Sequence, residues 1–151
     1  MIKLVSIIFA ILAGGSTALE AFINGELGKS TSAVTATFIS LVVGSVFFLI
    51  NMILTGEIKS FLATESISPK LLLGGIFGGC IIYFTVKAMD GIGLSSTLTI
   101  IVVSQILIGF FIDVVVLKEQ TMYLYKYVGA ILLFIGTFFI VSWVYLIIIH
   151  I

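Results

Sequence analysis

The sequence predicts an all-α membrane protein with five transmembrane helices, and two observations support this prediction. The first is composition, because 61% of the 151 residues are hydrophobic and 9% are charged, whereas a soluble domain has roughly 25% charged residues. The mean hydropathy is +1.38. The second is spacing, because the apolar residues form five stretches close to the length of about 20 residues that crosses a bilayer as a helix. We therefore expect one transmembrane bundle over residues 1–151.

The five predicted helices are joined mostly by short connections. Their predicted bounds are residues 4–27, 33–54, 71–89, 93–117 and 124–149. The first follows Lys3 in the manner of a signal peptide but lacks a clean small-residue cleavage site, so we expect it to be retained. Residues 55–70 form the longest polar stretch and contain the only proline, Pro69, which predicts a loop. The short connections at 90–92 and 118–123 leave sequential helices adjacent and antiparallel.

The positions of the lysines predict the orientation of the chain, because cytoplasmic connections carry an excess of positive charge. Five lysines lie on the side of the N-terminus and two on the other: Lys3, Lys59, Lys70, Lys118 and Lys126 against Lys29 and Lys87. This bias predicts the N-terminus inside and the C-terminus outside. The bias is modest, so insertion in both orientations stays open.

Six glycines predict close packing between helices. They are Gly74, Gly75, Gly78 and Gly79 in the third predicted helix and Gly129 and Gly136 in the fifth. In lipid no hydrophobic effect drives helices together, so close backbone approach and van der Waals contact must supply the association. We expect these glycines to be packing positions first.

The first predicted helix carries a polar stripe. At about 100° per residue, its small and polar residues fall within a narrow arc, and they are Ser6, Ala13, Thr17, Glu20 and Asn24. Such a stripe should face the bundle interior or a water-filled cavity, because polar groups in lipid would be unpaired. Glu20 is the most costly member, at roughly 2.5–3.5 kcal/mol for an acid at mid-membrane, which predicts a functional carboxylate. The alternative is that Glu20 lies at the membrane surface and pairs with Lys29.

Three further residues are candidates for the site. Gln105 lies in the middle of the fourth predicted helix, where it either contacts a substrate or makes a hydrogen bond between helices. Tyr83, in the third helix, either lines a pocket or hydrogen-bonds within the core. Asp113 lies near the end of the fourth helix, and a link to Lys118 or plain solvation would also explain it.

Several functional classes find no support in the sequence. It contains no phosphate-binding glycine loop, HExxH zinc helix, GxSxG nucleophile motif or TVGYG ion filter. The single cysteine, Cys80, provides neither a disulfide framework nor a cysteine-based metal site. Seven lysines balance seven acids, so no basic field indicates a nucleic-acid partner. We therefore predict no catalytic residue, metal or cofactor, and transport of a small solute is the simplest use of isolated acids in the membrane.

Several segments, taken together in order and spacing, resemble one family. Residues 18–28, Ala-Leu-Glu-Ala-Phe-Ile-Asn-Gly-Glu-Leu-Gly, are similar to the signature LQxxxNxxLG of the small YdcZ-type proteins in the drug/metabolite transporter superfamily. The resemblance continues through residues 38–44, residues 73–79 with Tyr83, and residues 104–113, and so covers nearly the whole chain. The family usually has glutamine where this chain has Glu20, which places an ionisable group at that position.

The resemblance implies a half-sized transporter. Larger members of the superfamily have ten helices, in two five-helix halves of inverted topology. A five-helix chain that resembles one half is expected to pair antiparallel with a second copy, or with a related chain. The lysine bias favours a single orientation, which weakly argues against a homodimer whose subunits insert in both orientations.

We therefore expect a multi-pass secondary transporter of the cytoplasmic membrane that exports a small cationic or amphiphilic solute in exchange for protons. In this hypothesis Glu20 from both subunits binds either a proton or the substrate, and Thr17, Asn24, Tyr83 and Gln105 line the cavity. A glutamate in the first helix of four-helix multidrug exporters serves proton coupling, and this likeness is an analogy only. The alternatives are a non-transporting subunit that docks on a larger membrane partner, and a passive channel or uptake carrier.

Overall fold

Helices account for the architecture of this protein, which we describe from a computed structural model covering residues 2–64, 67–116, 118 and 124–149. The elements are α1 (Ile2–Ser30), α2 (Ala33–Thr55), α3 (Ile58–Leu62), α4 (Pro69–Phe111), a π-helix (Ile112–Val116) and α5 (Leu124–Ile149). No strand occurs in these ranges, and the prediction of an all-α protein is confirmed there. The chain separates into two compact units, Met1–Asp90 and Gly91–Ile151.

The helix ends differ from the predicted bounds in three places. α1 continues to Ser30, so residues 31 and 32 alone connect it to α2. The helix also continues through the predicted connection at 90–92, and the break falls at Gly93, with φ 75° and ψ 170°. That backbone conformation is open essentially only to glycine. A short helix, α3, occupies part of the predicted loop 55–70, and the predicted connection 118–123 lies outside the described residues except at residue 118.

Hydroxyl side chains build the tight connection between α1 and α2. The hydroxyls of Ser30 and Thr31 both donate to the Leu27 carbonyl, at 3.0 and 2.7 Å. This carbonyl belongs to the last turn of α1, where acceptors have no partner within the helix, and it also accepts a hydrogen bond from the Thr31 amide at 3.0 Å. Ser32 then caps α2, because its side-chain oxygen accepts a hydrogen bond from the Thr35 amide at 3.1 Å.

Glycine and proline mark the next two helix boundaries. Gly56 follows α2 in the left-handed conformation, at φ 77°, and its amide donates to the Ile53 carbonyl. Glycine adopts this conformation without the steric cost that other residues meet. Pro69 is the first residue of α4, where its missing N–H removes no helical hydrogen bond.

The core of the first unit lies beside the α1–α2 connection. The buried residues of this unit are Ala21, Asn24, Gly25, Ala33, Ala36, Thr85, Val86 and Met89. All of them except Val86 and Met89 are glycine, alanine or polar residues of modest size. Helices α1, α2 and α4 therefore approach closely here through small side chains, which is how helices associate in lipid.

Outside this core, the helices expose large apolar side chains. Phe9 and Phe38 are each 67% exposed and Leu54 is 79% exposed. By length and composition, three described helices are suited to cross a membrane: Leu4–Ser30, Ala33–Thr55 and Pro69–Val116. Tyr127–Ser142 is a shorter apolar stretch within α5. An apolar surface on helices of this length is the surface that a bilayer covers.

The second unit contains the remainder of α4, the π-helix and α5. Ser96, Thr97 and Val103 are buried near its start. The Thr97 hydroxyl donates to the Gly93 carbonyl at 2.7 Å, one turn back along the same helix and beside its break. At the other end of this unit, the rings of Phe110 and Tyr127 lie 6.1 Å apart between centroids.

Candidate functional site

Asn24 is tied directly to a second helix. Its side-chain nitrogen Nδ2 donates to the Ser40 hydroxyl of α2 at 3.2 Å, and the residue is only 5% exposed. An amide buried among apolar side chains needs such a partner, because an unpaired amide costs several kcal/mol in hydrocarbon. Asn24 therefore joins α1 to α2, a role that the sequence did not predict.

Two glycines beside Asn24 allow α4 to approach α1. A Cβ atom at Gly28 would overlap the Cγ1 methyl of Val86, and one at Gly25 would overlap the terminal methyl of Met89. The three helices thus meet at one place, which we call the Asn24 cluster. It consists of Asn24, Gly25 and Gly28 of α1, Ser40 of α2, and Val86 and Met89 of α4.

Glu20 lies one helical turn before Asn24 and on the same side of α1. It is exposed, and within the described part of the chain it makes no hydrogen bond or ion pair. From Glu20 to Ser30, α1 continues for about 15 Å, at 1.5 Å per residue. The carboxylate is therefore well removed from the end of its helix.

The predicted alternative partner of Glu20 is engaged elsewhere. Lys29 Nζ lies 2.7 Å from Glu26 Oε1, with both side chains more than half exposed. The Asp90 carboxylate adds a further electrostatic attraction on Lys29. The Glu20–Lys29 pair is therefore not formed in this structure, and the location of Glu20 at the membrane surface stays an untested alternative.

The other predicted site residues of the first unit are Thr17 and Tyr83. The Thr17 hydroxyl is exposed and donates to the Ala13 carbonyl at 2.9 Å, which satisfies the hydroxyl within its own helix. Thr17 lies three residues before Glu20 and so shares its side of α1. Tyr83 is half-buried, and its phenol makes no hydrogen bond with a described residue.

Gln105 and Asp113 belong to the second unit. Gln105 is exposed on α4, and Asp113 is half-buried in the π-helix. Neither makes a hydrogen bond or ion pair with a described residue, so the predicted link from Asp113 to Lys118 is not formed. The roles proposed for these two residues stay predictions.

The predicted packing glycines divide into two groups. A Cβ atom at Gly79 would lie 3.3 Å from the Leu41 Cδ1 atom, so this glycine faces α2. The other five have no such neighbour within 4 Å among the described residues, and they are Gly74, Gly75, Gly78, Gly129 and Gly136. Their packing role stays a prediction, because any packing partner would lie outside the described residues.

Sequence reasoning missed Ser40, Gly25 and Gly28 as functional positions. A signal for them exists in the small residues at helical spacing. Along α1 these are Ala21, Gly25 and Gly28, and along α2 they are Ala33, Ala36 and Ser40. Each set lies on one side of its helix, and two such stripes in consecutive helices predict close contact between them.

Comparison with known proteins finds a matching family. The model of a family described as "Putative inner membrane exporter, YdcZ" matches residues 5–139. The matched range contains every predicted site residue, from Thr17 to Gly136. No curated protein and no solved structure matches the chain.

Proposed function

We propose that this chain, which belongs to the YdcZ inner membrane exporter family matched over residues 5–139, exports a small cationic or amphiphilic solute in exchange for protons. The family and the long apolar helices support a multi-pass transporter of the inner membrane. We propose three further properties, which are the proton coupling, the class of solute and the paired assembly.

We propose five membrane spans from the lengths of the helices. The apolar segment Pro69–Val116 has 48 residues, or about 72 Å of helix, which is more than twice the hydrocarbon thickness of about 30 Å. The break at Gly93 divides it into two segments that each suit one crossing. With α1, α2 and the 26-residue α5, the chain then has five spans. An odd number of spans suits a partner inserted in the opposite orientation, as in inverted repeats.

The observation that carries the proposal is the exposure of Glu20. This carboxylate lies on a membrane-spanning helix, well before its end, without a partner in the described part of the chain. In a bilayer such a group is stable only where it faces water or the interior of an assembly. A second, antiparallel copy would cover this side of α1 and bring two Glu20 carboxylates to one central cavity.

Competition for the carboxylate would couple the two movements. A proton and a cationic solute each neutralise the same Glu20 carboxylate, so binding of one disfavours binding of the other. Release of a proton on the cytoplasmic side would prepare the carboxylate for the solute, and protonation from the outside would release the solute there. The Asn24 cluster lies one turn away and would hold this part of α1 against α2 and α4.

Flux through reconstituted vesicles tests the proposal. The purified chain in liposomes should exchange tetraphenylphosphonium, used as a probe cation, for protons when a pH gradient is imposed. Glu20→Gln should abolish this exchange and leave assembly intact, as judged by crosslinking. Glu26→Gln is the matched control, because Glu26 lies on the same helix and is already paired with Lys29, and it should retain exchange.

Three results would contradict the proposal in different ways. Undiminished pH-driven exchange in Glu20→Gln would remove the coupling role of this carboxylate. Flux that ignores the pH gradient would indicate a passive carrier. A chain that carries no flux and forms no pair, with Glu20→Gln silent, would indicate a subunit of a larger assembly.

A further inference from the structure

The short helix α3 leaves the end of α2 at the point where the membrane span ends. α2 is a candidate span that ends at Thr55, and Gly56 turns the chain through a left-handed conformation. α3 then begins at Ile58, so only residues 56 and 57 separate it from the span. This connection places α3 at the depth of the membrane surface on that side.

The side chains of α3 divide into an apolar side and a polar side. At about 100° per residue, Ile58, Phe61 and Leu62 fall within an arc of about 100°. Phe61 is 55% exposed and Leu62 is 76% exposed, while Ile58 is half-buried. Lys59 and Ser60 lie outside this arc, and both are exposed.

Several backbone groups in and beside α3 are paired by local hydrogen bonds. The Phe61 amide donates to the Glu57 carbonyl at 3.0 Å, and the Ala63 amide donates to the Lys59 carbonyl at 3.0 Å. The Thr64 hydroxyl donates to the Ser60 carbonyl at 2.9 Å. Each backbone group paired in this way lowers the cost of entering an apolar boundary.

We propose that α3 is an interfacial anchor whose apolar side inserts into the boundary between lipid headgroups and acyl chains. Helices that lie in this boundary carry bulky apolar residues on one side and lysine on the other. Phe61 and Leu62 would enter the acyl region, and Lys59 would extend toward the phosphates of the headgroups.

The bilayer is the occupant that these observations favour over a protein. α3 is about 7.5 Å long at 1.5 Å per residue, too short to provide the roughly 800 Å² per partner of a specific protein interface. It also follows, after residues 56 and 57, a helix whose length and composition suit a membrane span. Insertion of α3 would occur whatever the direction of transport and whatever the role of Glu20.

Tryptophan fluorescence tests this placement in the full chain. Trp143 is the only native tryptophan, so Trp143→Phe provides the background. Phe61→Trp reports on the apolar side, and Ser60→Trp is the matched control on the polar side. Both proteins are placed in phosphatidylcholine vesicles, with or without a phosphatidylcholine brominated on its acyl chain, and each is also titrated with aqueous acrylamide.

The expected result is a reversal between the two positions. Phe61→Trp should emit at shorter wavelength and be quenched several-fold more by the brominated lipid than Ser60→Trp, and acrylamide should show the opposite order. Leu62→Trp should behave like Phe61→Trp and replaces it if that variant does not fold. Equal quenching by brominated lipid at positions 60 and 61 would overturn the proposal. Protection of position 61 from both quenchers would also overturn it, because it would indicate a protein partner.

Discussion

Alanine at Gly28 should weaken the contact between α1 and α4 directly. The new methyl would overlap the Cγ1 atom of Val86, which is fully buried and β-branched and therefore has little freedom to rotate away. Overpacking of this kind costs about 1–3 kcal/mol. The higher helix propensity of alanine offsets up to about 1 kcal/mol. We expect Gly28→Ala to lower the free energy of unfolding by about 1–2 kcal/mol.

Two other glycines of α1 provide a graded comparison. Alanine at Gly25 would meet the flexible end of Met89, so we expect a smaller loss than at Gly28. Gly14 has no neighbour within 4 Å among the described residues, so Gly14→Ala should be neutral or slightly stabilising. We therefore expect Gly14→Ala to be the most stable of the three variants, Gly25→Ala to be intermediate and Gly28→Ala to be the least stable.

The assay is reversible unfolding of the purified chain in mixed micelles, with the helix content followed as the fraction of denaturing detergent increases. Val86→Ala combined with Gly28→Ala should recover part of the stability lost in Gly28→Ala, because it removes the overlapping methyl. If Gly28→Ala were as stable as Gly14→Ala, the close approach of α1 and α4 at this position would be refuted.

Three further predictions concern single groups. Asn24→Ala and Ser40→Ala should each destabilise the chain. A double-mutant cycle in the same unfolding assay should give a coupling energy of about 0.6 kcal/mol, which is typical of hydrogen bonds between membrane helices. Strictly additive losses of stability would exclude the hydrogen bond. Gly93→Ala should cost about 1–3 kcal/mol of unfolding free energy because it forces an L-residue into a glycine conformation, whereas Gly91→Ala, with no left-handed φ, should not. Ser32→Ala should cost about 1 kcal/mol by removing the α2 cap, and unchanged thermal unfolding would argue against that cap.

The sequence predicts the long helices well because their lengths follow from one physical requirement. A chain that crosses hydrocarbon must keep its backbone hydrogen bonds within a helix of about 20 residues. The position of a helix end depends instead on the backbone conformation of single residues. Two glycines near the predicted connection at 90–92 show this. Gly91 stays helical while Gly93 takes the positive φ, and no local pattern distinguishes them.

The sequence predicts a site residue when its side chain is costly to place in lipid. It does not predict a residue whose role depends on a partner in another helix. Glu20 is conspicuous because an acid in lipid needs an explanation. Asn24 lies on the same polar stripe as Glu20, but the hydrogen bond from Asn24 to Ser40 depends on how α1 and α2 pack. The glycines near residue 75 form the more obvious small-residue pattern, and among them Gly79 faces Leu41, yet the tightest contacts within the described chain lie at Gly25 and Gly28.

The uneven distribution of burial along α1 has a consequence for local unfolding. The buried residues of this helix lie between Ala21 and Gly25, whereas residues 4–17 in its first half are exposed. Amide protons near the α1–α2 connection should therefore exchange with solvent deuterium only through cooperative opening of three helices, and those of the first half through independent opening. Lipids that thicken or order the bilayer would slow exchange mainly in the first half. One helix would thus contain a segment whose rigidity is set by protein packing and another whose rigidity is set by the surrounding membrane.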